Sequence, residues 1–304
     1  MEELIIQEEL ANKRLDIAVS LLFPELTRAH AQKLIKEGSV LVDGKPRKAS
    51  YPLTAGERLS VTLPEPEATE VLPENIPLDI LYEDKDVIVI NKPKGMVVHP
   101  ATGHTGGTLV NALLHHCKDS LSGINGILRP GIVHRIDRDT TGVMIACKND
   151  RAHQCIAEQL KAHSITRRYL ALAQGRMQEE EGTVDAPLGR DPENRKRMKS
   201  GMIGGKHAVT HYRVLERFSE YTLVECRLET GRTHQIRVHM ASIGHPVLGD
   251  EVYGPRHCPF RLEGQCLHAK LLGFVHPVSG KYMEFDSEYP AYFEELLQKL
   301  RRMS

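Results

Sequence analysis

The chain has 304 residues, with 40 basic against 40 acidic, so no net charge announces a nucleic-acid partner and any such affinity must come from local patches. A 40% apolar and 26% charged composition fits a globular protein long enough for about two domains. No apolar run reaches the ~18 residues of a membrane-spanning helix, and the acidic start at Met1-Glu2-Glu3 argues against a secretory signal. The six cysteines form no Cys-x-x-Cys pair and read as free thiols. The sixteen histidines lack a compact ligand spacing, so no metal site is expected.

Residues 1–64 read as a small α/β unit. Leu15, Ala18, Val19 and Leu22 recur at helical spacing until Pro24 ends the run. Thr27 is placed to cap a second helix, Arg28 to Glu37, with Gly38 at its end. Val40-Leu41-Val42, the turn Asp43-Gly44 and the basic run Lys45-Pro46-Arg47-Lys48 read as a hairpin, and Leu59 to Leu63 as a last strand. Between residues 28 and 48, six basic residues (Arg28, Lys33, Lys36, Lys45, Arg47, Lys48) face two acidic ones, a positive patch on a neutral chain. Solvated surface charge would also account for it. With Arg14-Leu15-Asp16 and the run from Leu34 to Lys45, this order of elements resembles the RNA-binding domain first known from ribosomal protein S-four. Residues 65–75, acidic and Pro-containing at their start, read as a linker.

The second domain is expected over 76–304. Asp86 to Ile90 is a buried strand leading into Asn91-Lys92-Pro93-Lys94-Gly95. A short helix is predicted over Thr105–His115. The central stretch, Gly131 to Cys147, holds a polar loop from His134 to Gly142 between two short apolar runs. These read as buried strands, although pattern alone does not exclude a buried helix segment. A charged loop fixed by a scaffold is where binding and catalytic groups tend to sit. Next come a helix capped by Asn149 or Asp150, running to about His163, and a strand over Thr166–Ala173. Residues 190–199 read as a mobile basic loop able to clamp phosphates, followed by strands over His207–Leu215 and Tyr221–Leu228. Thr233 is placed to cap a helix with Ile236, Met240 and Ile243 inward, and 292–300 has an amphipathic helical pattern. Without regular βαβ alternation, the class is α+β with a mainly antiparallel, mixed sheet.

The loop His134-Arg135-Ile136-Asp137 followed by Thr140-Thr141-Gly142 resembles the signature of the RluA/RluD family of pseudouridine synthases. Ile136 and Thr141 stand for that family's usual Leu and Ser. The segments Ile90–Pro100, Leu228–Gly254 and Leu267–Pro277 resemble its other motifs, in order. The resemblance implies Asp137 as catalytic carboxylate, Arg232 as its partner, and Tyr169 stacked on a uracil drawn out of the helical stack. It implies Arg135 filling the gap left behind, with Lys92, Gln235 and Arg237 contacting or supporting substrate. The reaction is an isomerisation, so no cofactor is expected. The partner would be RNA, and ribosomal RNA of the large subunit or its precursor above all, because the extra N-terminal domain accompanies such members. A cytoplasmic, monomeric enzyme is expected. Two other readings compete: a catalytically silent RNA-binding or ribosome-assembly protein, and a metal-dependent nucleic-acid hydrolase. A transfer-RNA substrate is the alternative within the enzyme reading.

Overall fold

The computed structural model describes residues 2–23, 26–62, 71–101, 104–118, 120–126, 128–194 and 197–303. The chain divides into two compact units, Met1–Thr69 and Glu70–Ser304. Among the described residues no helix is long and apolar enough to cross a membrane.

The first unit contains β1 (Glu2–Ile5), α1 (Leu15–Leu22), α2 (Arg28–Lys36), β2 (Val40–Val42), β3 (Lys45–Pro46) and β4 (Arg58–Val61). Its sheet runs β1-β4-β2-β3 and is antiparallel at every pairing. The hairpin forms as predicted because Asp43 and Gly44 both take positive φ, the geometry of a tight primed turn. Both helices bury the expected stripe, with Leu15, Ala18, Val19, Ala31, Leu34 and Ile35 enclosed. Strand β1 is absent from the sequence reading; its polar start, Glu2-Glu3, hides an edge strand that pairs with β4. The charge patch needs one amendment. Arg28 donates to the buried Asp16, as do Arg14 and Gln32, while Lys33, Lys36, Lys45 and Lys48 stand exposed. Arg14, followed by the other donors, outweighs the effect of burial and holds the Asp16 carboxyl far below the usual carboxylate range. Pro24 and residues 63–70 lie outside the described residues.

The second unit begins earlier than 76. Val71 is part of its core, the Asn111 side chain donates to the Leu72 carbonyl, and Glu74 N–H donates to the Asn111 carbonyl. The unit contains β5 (Ile80–Glu83), β6 (Val87–Lys92), α3 (Leu109–Cys117), β7 (Thr141–Cys147), α4 (Asp150–Lys161) and β8 (Thr166–Gln174). These are followed by β9 (Glu181–Asp185), β10 (Leu188–Arg190), β11 (Met198–Ser200), β12 (Val209–Arg217), β13 (Tyr221–Leu228), α5 (Gln235–Ser242), β14 (Leu267–Val275), β15 (Tyr282–Asp286) and α6 (Ala291–Met303). Nine strands form one sheet, β5-β6-β7-β14-β8-β13-β12-β9, with β15 also on β14. Every pairing is antiparallel except β7 with β14, so the mixed, mainly antiparallel sheet expected of an α+β chain is present.

Strand β7 is buried at all seven positions, which is why it reads as an unbroken apolar run rather than an alternation. Gly142 is required there. Its φ is 114°, and a Cβ would land on the Ala269 backbone where β7 meets β14. The apolar run before the loop is not a strand; Ile132 makes only a single bridge to Ala146. Helix α4 starts as expected, with the Asn149 side chain accepting from Ala152 N–H. Helix α3 starts later than expected, at a capping box closed by Thr108 and Asn111. Segment 190–199 is built into the β10–β11 hairpin in its described part; Arg195 and Lys196 are outside the described residues.

Candidate active site

The loop between Ile132 and β7 is held from three sides. Lys92, fully buried at the end of β6, donates its three ammonium protons to the carbonyls of Pro93, Met96 and Arg138 at 2.8, 2.8 and 2.9 Å. Burial pushes its pKa down to about 7, against the pull of Asp139 and Asp137. His134 accepts the Ile145 N–H at 3.1 Å through Nε2, tying the loop to the β7 backbone. Burial, with Arg167 nearby, pushes the His134 pKa down to about 4, so the ring is the neutral acceptor that this bond requires. Thr140 accepts from Gln265, and Thr141 hydrogen-bonds with the buried His268 at 2.8 Å.

This scaffold presents Asp137, a quarter exposed, to a cavity of about 520 Å³. Arg237 Nη1 donates to Asp137 Oδ2 at 2.9 Å. The other oxygen, Oδ1, lies 3.8 Å from His234 Nε2, and Asp137 lines the cavity. Arg237 is itself fixed. Its Nε and Nη2 donate to the two oxygens of Asp250 at 2.6 and 2.9 Å, a bidentate fork with both side chains buried. Burial works against the Arg237 charge, but Asp250 and Asp137 outweigh it and hold the pKa well above the ordinary value. Burial would raise the Asp250 pKa; Arg237 and the N–H groups of Tyr253 and Val252 hold it below the usual range. The result is a carboxylate with one oxygen clamped and one open.

His234 introduces α5 in the left-handed region, φ 56°, uncommon for a residue with a side chain. The Tyr253 hydroxyl accepts from Met198 N–H at 2.8 Å and hydrogen-bonds with His234 Nδ1 at 2.9 Å. That bond orients the ring, with Nε2 3.8 Å from Asp137 Oδ1. Burial lowers the His234 pKa against the pull of Asp137, favouring the neutral ring. Tyr169 stands on β8, with its ring in the core and its hydroxyl on the cavity without a hydrogen-bond partner among the described residues. Burial raises its pKa, so it is a neutral phenol at neutral pH. Arg135 is exposed at the rim, where it donates to Thr233 Oγ1 at 3.2 Å and reaches His99 Nε2 at 3.4 Å.

Several sequence-based expectations are corrected here. Arg232 is not the guanidinium bound to Asp137. Its Nε donates to the His207 carbonyl at 2.9 Å, and Arg237 holds the carboxylate instead. Arg232 precedes α5 and reaches His207, just before β12, while Arg237 lies in the first turn of α5 and reaches the loop at Asp137. Thr233 does not cap α5; the N-cap position is His234, which makes no capping side-chain bond, and Ile243 is exposed rather than inward. Lys92 is sealed from substrate by burial and by its three carbonyls. Gln235 is saturated too. It accepts from Thr230 Oγ1 and Arg232 N–H, and donates to the Val209 carbonyl and Thr210 Oγ1. Lys92 supports the site from within the core, and Gln235 lines the cavity wall with its hydrogen bonds already filled. His234, Asp250 and Tyr253 were not singled out. The available signal was a lone Asp after the apolar Val247-Leu248-Gly249.

Comparison with known proteins gives this geometry its family. The RNA pseudouridylate synthase family matches residues 86–242, and the S4 domain matches residues 13–59. The chain belongs to the RNA pseudouridine synthases. It is 51% identical over 300 residues to an uncharacterized RNA pseudouridine synthase of Bacillus subtilis (strain 168), covering 99% of this chain and 98% of the relative. It is 46% identical over 309 residues to the ribosomal large subunit pseudouridine synthase D of Zymomonas mobilis, covering 98% and 97%. Among solved structures, human RNA pseudouridylate synthase domain containing 1 superposes with a TM-score of 0.58 at 26% identity, over 78% of this chain and 97% of that one. As an RNA pseudouridine synthase of the RluA/RluD family with an N-terminal S4 domain, the chain is an isomerase acting on RNA.

Proposed function

We propose that this enzyme isomerises uridines in loops of large-subunit (23S-type) ribosomal RNA, with Asp137 as the essential carboxylate and the target base flipped into the cavity. The observation that carries the chemical half is the asymmetric clamp on Asp137. Arg237 fixes Oδ2, Oδ1 has no hydrogen-bond partner among the described residues, and Asp137 lines the cavity together with Tyr169. A carboxylate so oriented is placed to act at the anomeric carbon as nucleophile or as base. The neutral Tyr169 ring offers a flat, rigid face for a uracil, and its hydroxyl has no hydrogen-bond partner among the described residues. Arg135 at the rim has the planar group that stacks where the base has left. No step needs an external oxidant or water, because the base leaves and rejoins the same sugar.

The substrate half is supported by the S4 domain and by the name carried by the Zymomonas relative, ribosomal large subunit pseudouridine synthase D. A single uracil offers too little contact to choose one site in a long folded RNA, and a second basic module supplies the rest. In this reading the protein works in the cytoplasm as a monomer, on free or partly assembled large subunits.

Pseudouridine mapping of total RNA with and without the gene tests the substrate. The expected result is one or more missing sites in 23S-type RNA, restored by the parent gene and not by Asp137→Asn. A missing transfer-RNA site with unchanged ribosomal RNA would move the substrate and keep the enzyme class. Purified Asp137→Asn should turn over at background while binding RNA within several-fold of the parent; turnover near the parent rate would remove Asp137 from the mechanism.

A further inference from the structure

Arg167 is a buried cation that the chemistry above does not use. It precedes Tyr169 by two residues on β8, so the two side chains leave the same face about 7 Å apart. Only 7% of Arg167 is exposed, yet it lines the same cavity as Asp137 and Tyr169. Its Nη2 donates to the Glu229 carbonyl at 2.8 Å, and its enclosed Nε has no partner among the described residues. Among the described residues no carboxylate pairs with it. Arg237, buried to the same degree, bonds two carboxylates. A buried guanidinium is ordinarily compensated in that way, because an unpaired charge is costly to enclose.

The surroundings point to an anion as the missing partner. Gly231 opens the way to the guanidinium, since a Cβ there would lie 2.7 Å from Arg167 Nη1. Lys161 and Arg232 line the same cavity, and the one carboxylate among its described lining residues, Asp137, is clamped by Arg237. A neutral acceptor such as a base carbonyl would satisfy a hydrogen bond but leave the charge uncompensated. A phosphodiester satisfies both, and a planar fork suits its geometry.

We propose that Arg167 is the seat of an RNA phosphate in this cavity, binding a phosphodiester next to the uridine held against Tyr169. The proposal rests on the reading of the cavity as the uridine site. The seat fixes the backbone on one side while Asp137 works on the sugar, making Arg167 a substrate-positioning residue.

The test uses the full-length enzyme and a short stem-loop of 23S-type RNA centred on the uridine that the deletion map identifies. Three versions are compared: all phosphodiester, and a single neutral methylphosphonate on the 5′ or the 3′ side of that uridine. One methylphosphonate should weaken parent binding by about tenfold or more, the scale of one charge-assisted hydrogen bond. Arg167→Met and Arg167→Gln should weaken binding of the unmodified RNA similarly, and should respond to that methylphosphonate less than about twofold. KM should rise more than kcat falls. Parent binding indifferent to both methylphosphonates overturns the seat whether or not the variants fold, as does full sensitivity retained in either variant. A parent enzyme that makes no pseudouridine in any RNA is a different failure, that of the function proposed above.

Discussion

Asp137 depends on which arginine reaches it, and two arginines five residues apart make opposite predictions. Arg237→Met removes the group donating to Oδ2 and leaves Asp250 buried without its fork. Activity should fall at least a hundredfold, and stability by about 3 kcal/mol, the cost of breaking a buried pair from one side. Arg232→Met removes a bond to one backbone carbonyl on a half-buried side chain. It should leave stability within about 1 kcal/mol and affect RNA affinity before turnover. Activity assays and denaturant melts of the two variants decide the pairing, and the reverse ranking would restore Arg232 as the partner. Local pattern marked only the loop, a polar stretch between apolar runs; it was the family resemblance of the motifs that named Asp137, Tyr169 and Arg135, and all three line the cavity. The sequence could not place Arg237 against Asp137, because that contact joins residues a hundred positions apart and no periodicity announces it.

Among the elements, the loop is exact because β6, β7 and β14 each lend it a buried polar anchor. Lys92→Met keeps the apolar stem and orphans three enclosed carbonyls, so about 3 kcal/mol should be lost, read as a lower denaturation midpoint at unchanged slope. A midpoint unmoved by the substitution would mean water replaces the ammonium. The β14 anchor is pH-sensitive. His268 is 1% exposed and holds Thr141 through Nδ1 and Ser287 through Nε2, and burial pushes its pKa down to about 4. The unfolded value is about 6.5, so the folded state binds fewer protons between those limits. Its contribution is therefore complete above about pH 6.5, is lost as pH falls toward 4, and is flat below, an upper bound of about 3 kcal/mol. Unfolding free energies at about pH 7.5 and 4.5 should diverge less in His268→Asn than in the parent; an equal difference would show that the ring does not titrate with folding. Element types were largely readable, since β6 and β7 are continuous apolar runs and α4 carries its own cap. Two of the misses, strand β1 and the β10–β11 hairpin, are polar segments whose strand character comes from a partner rather than from their own residues, whereas β5, β9, β14 and β15 were given no strand reading at all.

At the scale of the whole molecule, the two units carry separate cores: Leu15, Leu34, Val40 and Leu59 gather in the first, and none of its core residues belongs to the clusters of the second. Every residue assigned to chemistry lies in the second, which predicts a division between selecting RNA and reacting with it. The first unit keeps Lys33, Lys36, Lys45 and Lys48 exposed, whereas Arg28 is occupied by Asp16. If those four lysines neutralise phosphates, changing all four to Gln should reduce the slope of log affinity against log salt by about 3. Binding would weaken most at low salt, and kcat on a short stem-loop would hold within about twofold. Changing Arg28 instead should move stability and leave the slope alone, because it removes a partner from a buried carboxylate. Fluorescence titrations of full-length ribosomal RNA at several salt concentrations, paired with tritium release from a labelled stem-loop, separate the two effects. A slope unchanged by the four substitutions would mean that the phosphate contacts are made elsewhere, with the cavity rim around Arg135 and Arg232 the next surface to neutralise. A slope and a kcat that fell together would mean that the first unit takes part in the reaction itself, against the division its separate core suggests.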